Sequence, residues 1–270
     1  MTASVARTWT TLPALMYHSV SAVGGPLRDL AVPPERLAEQ LEALSGAGYR
    51  LVGLTEALDL LGAGSTDKMV AVTFDDGYRD FLTDGVPVLR KAGAGATLYA
   101  SVGHLGGHAG WLGEWSPDFG PMLTWSELEE VAASGVEIGN HSLIHHPLDV
   151  LSPAQLREEV GSSRDQLEQR LQRRVRSFAY PHGYNSGLVR RTVERSGHDN
   201  ATEVGRRLHT PSERRFAVPR FQPTPDHTGA DLVRLVEGGG PQLAARLKQC
   251  AQPGWRMVRR LARKAGRNLT

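Results

Sequence analysis

The sequence predicts an α/β protein built on a parallel β/α barrel, and three observations carry that expectation. Short apolar runs alternate with stretches of helical periodicity along most of the chain, giving about six or seven βα units. The residue types suited to catalysis fall just after apolar runs, at His18, Asp75-Asp76, His141 and Pro181-His182. Gathering active-site residues at the C-terminal ends of strands is what such barrels do. No internal repeat or low-complexity linker divides the 270 residues, which favours one domain. An open doubly wound sheet is the alternative, although no phosphate-type glycine fingerprint follows any strand.

Taken in order, Leu12 to Tyr17 reads as a short strand ending at His18. Pro33-Pro34 opens a helix with Leu37, Leu41 and Leu44 on one face, stopped by Gly46 and Gly48. Thr55 is placed to N-cap a second helix running to Leu61. Met69 to Phe74 is a buried-type strand that runs straight into Asp75-Asp76-Gly77. Asp80 to Lys91 is helical, with an interruption near Gly85 and Pro87. Ala96 to Val102 is the next strand, and the glycine-rich stretch from Gly103 to Gly120 reads as a long loop. Ser126 with Glu129 fits a capping box for a helix ending at Gly135. Val136 to Ile138 is a strand leading to Asn140-His141. Ser152-Pro153 starts the longest helix, to about Arg173, with Leu156, Val160, Leu167 and Leu171 inward. Val175 to Tyr180 is a strand, followed by a helix from Leu188 to Ser196.

Composition removes several classes. With 40% apolar and 22% charged residues and a net charge of +2, the chain is not intrinsically disordered. Its 30 glycines and 16 prolines exceed an average share and imply many turns. The single cysteine, Cys250, makes no internal disulfide and cannot build a thiolate zinc site. No run approaches the ~20 apolar residues of a membrane-spanning helix. The first eleven residues lack the apolar core of a secretory signal, so a cytoplasmic location is expected. Six basic and no acidic residues lie between Trp255 and Thr270, which leaves residues 1–254 at −4. That acidic body gives no nucleic-acid footprint. In the tail, Trp255, Val258, Leu261, Ala262 and Ala265 share one helical face opposite the basic residues. This is the pattern of an interfacial helix on an anionic membrane, and equally of a terminal helix packed on the barrel.

Three segments offer chemistry. Asp75 and Asp76 leave a strand on successive residues and so point differently, free to hold different jobs. His141 and His145, spaced i and i+4, converge on one ion if the segment turns back. One Asp with two His leaves a fourth position open, as in a catalytic metal site, and the other Asp is then a candidate base. Trp111 and Trp115 are candidates for stacking on sugar rings, while Trp125 starts a helix and reads as core. His104, His108, Glu114 and Asp118 read as chance enrichment of a loop, and His146, ahead of Pro147, as surface.

Thr73-Phe74-Asp75-Asp76-Gly77 and His141-Ser142-Leu143-Ile144-His145, with Tyr180-Pro181-His182-Gly183-Tyr184-Asn185, resemble the three motifs of the polysaccharide deacetylase family. These are the carbohydrate esterases that share the nodulation-factor deacetylase homology domain. The resemblance spans about residues 12 to 222 and implies a deformed (β/α)7-type barrel, with a catalytic domain over 12–239 between an N-terminal extension (1–11) and a basic helical tail (240–270). By position, it makes Asp75 the catalytic base and Asp76, His141 and His145 the ligands of one divalent ion, usually Zn2+, with Co2+ or Ni2+ as alternatives. It places the oxyanion and substrate contacts at Tyr180, Pro181, His182 and Tyr184, with the main-chain donor near Pro181-His182.

Two departures stand out. No Arg begins the third motif at Phe178-Ala179-Tyr180, and the family's late Leu-x-His acid is missing, since Leu232-Val233-Arg234 has no His. Instead Leu15-Met16-Tyr17-His18-Ser19-Val20 resembles a circularly permuted subgroup that includes poly-N-acetylglucosamine deacetylases, in which an early Tyr-His supplies the acid. His18 then takes that role, and Arg220 of Val218-Pro219-Arg220-Phe221 replaces the base-orienting Arg. The implied activity is removal of an N-acetyl group from an amino sugar in a glycan precursor, glycolipid or glycosylated metabolite. An amidase acting on a non-sugar amide and an inactive glycan- or lipid-binding module are the alternatives.

Overall fold

The computed structural model describes residues 11–239. The expected basic tail, with Cys250 and the amphipathic stretch 255–267, and nearly all of the N-terminal extension lie outside the described residues.

Eight strands make one parallel sheet: β1 (Ala14–Tyr17), β2 (Arg50–Val52), β3 (Met69–Phe74), β4 (Thr97–Ala100), β5 (Glu137–Asn140), β6 (Ser177–Ala179), β7 (Asn200–Val204) and β8 (Val218–Arg220). The order is β1-β3-β4-β5-β6-β7-β8, with β2 attached to β3 off this path. Beyond β8 the sheet closes on itself: Met16 N–H donates to Phe221 O (2.7 Å), and Phe221 N–H donates to Ala14 O (2.8 Å). The result is a nearly closed seven-strand barrel, deformed where β2 and β4 share one edge of β3. There β2 takes Met69–Ala71, and β4 takes Thr73 and Phe74.

Helices α1 (Pro34–Gly46), α2 (Leu54–Gly62), α3 (Val86–Ala92), α4 (Trp125–Ala133), α5 (Pro153–Arg157), α6 (Ser163–Leu171), α7 (Gly187–Arg195) and α8 (Gly229–Arg234) surround it. Strand alternation sorts the core. On β3, Val70, Val72 and Phe74 pack outward with Leu37, Leu41, Leu128 and Leu167 of the helices. Met69 and Ala71 face inward with Ala14, Tyr99, Ala179 and Val218. Burial of both faces explains why β3 reads as a continuous apolar run rather than an alternating one. Thr73 and Asp75 continue the inward parity of Ala71, and Arg220 continues that of Val218. The chain therefore delivers three polar groups to the inside of the barrel mouth.

Several local expectations change. The α2 N-cap is Gly53, not Thr55. The helix is instead capped from two strands, with Leu54 N–H on Thr97 Oγ1 of β4 (2.8 Å) and the Thr55 N–H and hydroxyl on Glu137 of β5. The α4 capping box is Thr124 with Glu127, two residues before the expected pair, and both pairs satisfy the same spacing rule. The 103–120 stretch is not all loop, since a 3-10 segment covers Gly110–Phe119. The long helix does start at a Ser152/Gln155 capping box, but a π turn over Glu158–Ser162 separates α5 from α6. It ends at Leu171, where Gln172 turns left-handed (φ 50°).

Candidate metal centre and active site

Asp75 extends β3, its N–H donating to Tyr17 O (2.9 Å). Its carboxylate receives both arms of Arg220, Nη1 on Oδ1 at 2.6 Å and Nη2 on Oδ2 at 2.7 Å. Arg220 Nη1 also donates to Thr73 Oγ1 (2.9 Å), and the guanidinium lies 5.6 Å from the centre of the Tyr99 ring. Arg220 is wholly buried and Asp75 3% exposed, so this is a paired fork shielded from bulk solvent. Burial pushes the Asp75 carboxyl up, but the charges of Arg220 and His141 outweigh it and hold the group below the usual range. The expected partnership of Arg220 with Asp75 thus appears as direct contact.

Asp76 parts from Asp75 because its backbone turns left-handed (φ 76°). Its Oδ1 lies 3.3 Å from His141 Nε2 and 3.4 Å from His145 Nε2. All three residues are buried, and one ligand atom from each lies within 4.8 Å of the others. Two atoms bound at about 2.0–2.1 Å to a shared tetrahedral ion stand about 3.3 Å apart, which is the spacing seen. Asp76 Oδ1 is buried with no hydrogen-bond donor. His141 Nδ1 faces Ala179 O at 2.8 Å, which requires a proton there, so that in the neutral ring the Nε2 lone pair is the one turned toward Asp76. The donor set therefore fits a divalent ion. Burial again opposes the charge on Asp76, and the two imidazoles carry it well below its ordinary range. His145, by contrast, is lowered by burial despite the pull of Asp76.

The His145 ring is held by stacking. Trp111 lies parallel to it at 4.1 Å, with His104 edge-on to Trp111 at 4.7 Å. His182 meets the other surroundings of His145 at 4.6 Å, and Tyr184 follows at 5.8 Å from His182. Burial and then the neighbouring His145 push His182 down to about 3. His18 is half-buried at the end of β1. Burial lowers it, while Asp76 and Asp75 pull it up, which places it in the same electrostatic field.

Three expected residues, Tyr180, Pro181 and Trp115, do not join this cluster. Tyr180 sends its hydroxyl to Phe216 O (3.0 Å) and its N–H to Thr202 O (3.1 Å), packing on Phe178. Pro181 is buried and has no N–H, so the third motif presents His182 and Tyr184 to the cluster. Trp115 is 37% exposed beside Gly25 and has no contact with the cluster among the described ring pairs. Thr73 and Tyr99, to which the sequence assigns no separate role, stand behind Arg220, and His104, which reads in sequence as chance enrichment of a loop, stands behind Trp111. Six non-glycine residues among those described have left-handed φ, and four of them, Asp76, Ser142, His145 and His182, belong to this site. Such backbone is costly and concentrates where function requires it.

The polysaccharide deacetylase family model matches residues 62–201. The Bacillus subtilis protein YxkH, which carries that family name, is 28% identical over 228 residues, spanning 84% of this chain and 76% of its own. The poly-beta-1,6-N-acetyl-D-glucosamine N-deacetylase of Escherichia coli K12 is 30% identical over 146 residues, 49% of this chain but 21% of that protein. Among solved structures, the Streptococcus pyogenes deacetylase PplD in complex with acetate aligns with a TM-score of 0.72 at 23% identity, covering 84% of this chain and 98% of that one. IcaB from Ammonifex degensii aligns with a TM-score of 0.71 at 25% identity, covering 85% and 98%.

Proposed function

The chain belongs to the polysaccharide deacetylase family, and on that premise we propose that it hydrolyses the N-acetyl group of an amino sugar. Asp76, His141 and His145 would hold one divalent ion, and a nitrogen-rich set with one carboxylate suits Zn2+ first, with Co2+ or Ni2+ as substitutes. When bound, such an ion supplies Lewis acidity toward the amide carbonyl and the attacking water.

The remaining steps fall to the chain. Asp75 takes the proton of the attacking water. Of the four lone-pair directions of its carboxylate, Arg220 engages two, so acceptor capacity remains while the group is held in one orientation. His18 delivers a proton to the leaving amine nitrogen. The main-chain N–H of His182, held in left-handed backbone (φ 57°), stands as the oxyanion donor, since Pro181 has none and that of Tyr180 is taken. A donor of this kind contributes about 3 kcal/mol in comparable hydrolases.

One observation carries the proposal. A buried carboxylate oxygen without a donor faces two imidazole nitrogens, beside a second carboxylate clamped separately by an arginine. The test is metal content of the purified full chain together with acetate release from N-acetylglucosamine oligosaccharides, including β-1,6-linked ones. The expected result is one ion per chain and acetate release that a chelator abolishes and Zn2+ restores. Bound metal with hydrolysis only of non-sugar amides would favour the amidase reading. Metal with no hydrolysis of either class would favour a binding module.

A further inference from the structure

The two histidine ligands sit on a segment with no regular secondary structure, and something must hold it in shape. Between His141 and His145 the chain passes through left-handed backbone at Ser142 (φ 69°) and again at His145 (φ 57°). Neither is glycine, so an extended alternative is always accessible to this segment. Three sets of bonds oppose it. Asn140 Oδ1 accepts from Ser142 N–H (2.9 Å), and Ser142 Oγ accepts from His145 N–H (3.1 Å). On the carbonyl side, Val102 N–H donates to Ser142 O (3.2 Å) and Gly103 N–H to Leu143 O (2.7 Å). A Cβ on Gly103 would stand 2.7 Å from that same oxygen, so this approach requires glycine. The third set is a single atom: Glu159 Oε2 accepts from both Leu143 N–H and Ile144 N–H, each at 3.0 Å.

Glu159 is 5% exposed, and no Lys or Arg among the described residues pairs with it. Its charge is met by main-chain N–H groups that converge as they do in anion-binding nests. It lies in the π turn between α5 and α6, the one irregularity in that helical run, and Ser163 Oγ donates to its carbonyl at 2.6 Å. Irregular turns of this type recur at functional sites.

We infer that Glu159 is a positioning residue for the metal centre. Its carboxylate pins the Leu143-Ile144 peptides so that His141 and His145 both aim Nε2 at Asp76. This inference rests on the metal-site reading above and assigns Glu159 no contact with substrate or ion. Outer groups that orient ligands typically govern metal affinity by 10- to 100-fold.

The experiment uses the full chain and its Glu159→Met, Glu159→Asp and Glu159→Gln variants. Zn2+ affinity is measured by chelator competition, the visible absorption of the Co2+-loaded proteins is recorded, and unfolding of the metal-free forms is followed by heat. Glu159→Met should lose at least about tenfold in Zn2+ affinity and alter the Co2+ spectrum. Glu159→Asp, one methylene short, should lose about tenfold, whereas Glu159→Gln keeps an acceptor oxygen at the same reach and should stay within about threefold. Wild-type affinity and spectrum in both Glu159→Met and Glu159→Asp, whatever their unfolding temperatures, would overturn the inference and leave Glu159 a structural residue. If Glu159→Met does not fold, Glu159→Asp decides alone. A wild-type chain that binds no ion would instead overturn the metal-site reading itself.

Discussion

At the start of the strands, Glu137 has its donors in place, the Thr97 hydroxyl on Oε2 at 2.5 Å and the Thr55 N–H and hydroxyl beside it. The network runs on through Asn200 and Ser177 to the Tyr99 hydroxyl, and no atom of it is among the buried unpartnered ones described. At the other end, one strand-length away, Asp76 Oδ1, His145 Nδ1, His182 Nε2 and Arg220 Nε are all buried without partners. Four left-handed non-glycine residues sit at that end and none in the floor network. Both networks bury carboxylates, yet no atom of the one around Glu137 is left unpartnered, whereas four at the mouth are. Burial without partners costs about 1–3 kcal/mol per group, so such an arrangement persists where something other than stability maintains it. The floor holds the barrel together, and the mouth is kept ready for a ligand. Tyr99 joins the two, its hydroxyl in the floor and its ring beneath Arg220. Gly139 makes room for that ring, since a Cβ there would stand 2.4 Å from it.

The difference between the two ends can be broken from either side. The largest effect is expected at the mouth. Arg220→Lys keeps a charge but loses the two-armed fork, and kcat should fall on the order of 100-fold with metal content unchanged. Burial alone raises the Asp75 carboxyl and Arg220 is the strongest influence lowering it. The acidic limb of the kcat/KM profile should therefore move to higher pH in this variant. An unchanged limb would detach Arg220 from the base. At the floor the expected effect is smaller and of another kind. Glu137→Leu leaves the Thr55 and Thr97 donors unmet and should cost about 2–3 kcal/mol, seen as a fall of several degrees in Tm. Metal content and kcat should stay within about twofold. Loss of metal in Glu137→Leu would show that the two ends are not separable.

The mouth was more legible in the sequence than the floor. Asp75, Asp76, His141 and His145 stand in compact motifs, and their strands β3 and β5 announce themselves as apolar runs. β7 and β8 did not, because their inward positions carry Asn200, Thr202 and Arg220, residues that serve the barrel's polar interior and erase the apolar signal. β2 is three residues long and carries too little pattern to read. Glu159, His104 and Tyr99 stayed hidden for a different reason. Glu159 and Tyr99 act on partners 15 or more residues away and His104 on one seven residues on, in each case across a contact that only the folded chain creates. Arg220 was reachable only through the resemblance, as the partner of Asp75, 145 residues earlier.

Two adjacent carboxylates, Asp75 and Asp76, are sent to different partners by one backbone turn, and on the proposed function they hold separate jobs. Metal stoichiometry and acetate release measured side by side for Asp75→Asn and Asp76→Asn test this most directly. The account predicts that Asp75→Asn retains one ion per chain and loses turnover, while Asp76→Asn loses the ion and turnover together. Full metal in Asp76→Asn, or an Asp75→Asn chain purified without metal, would contradict it.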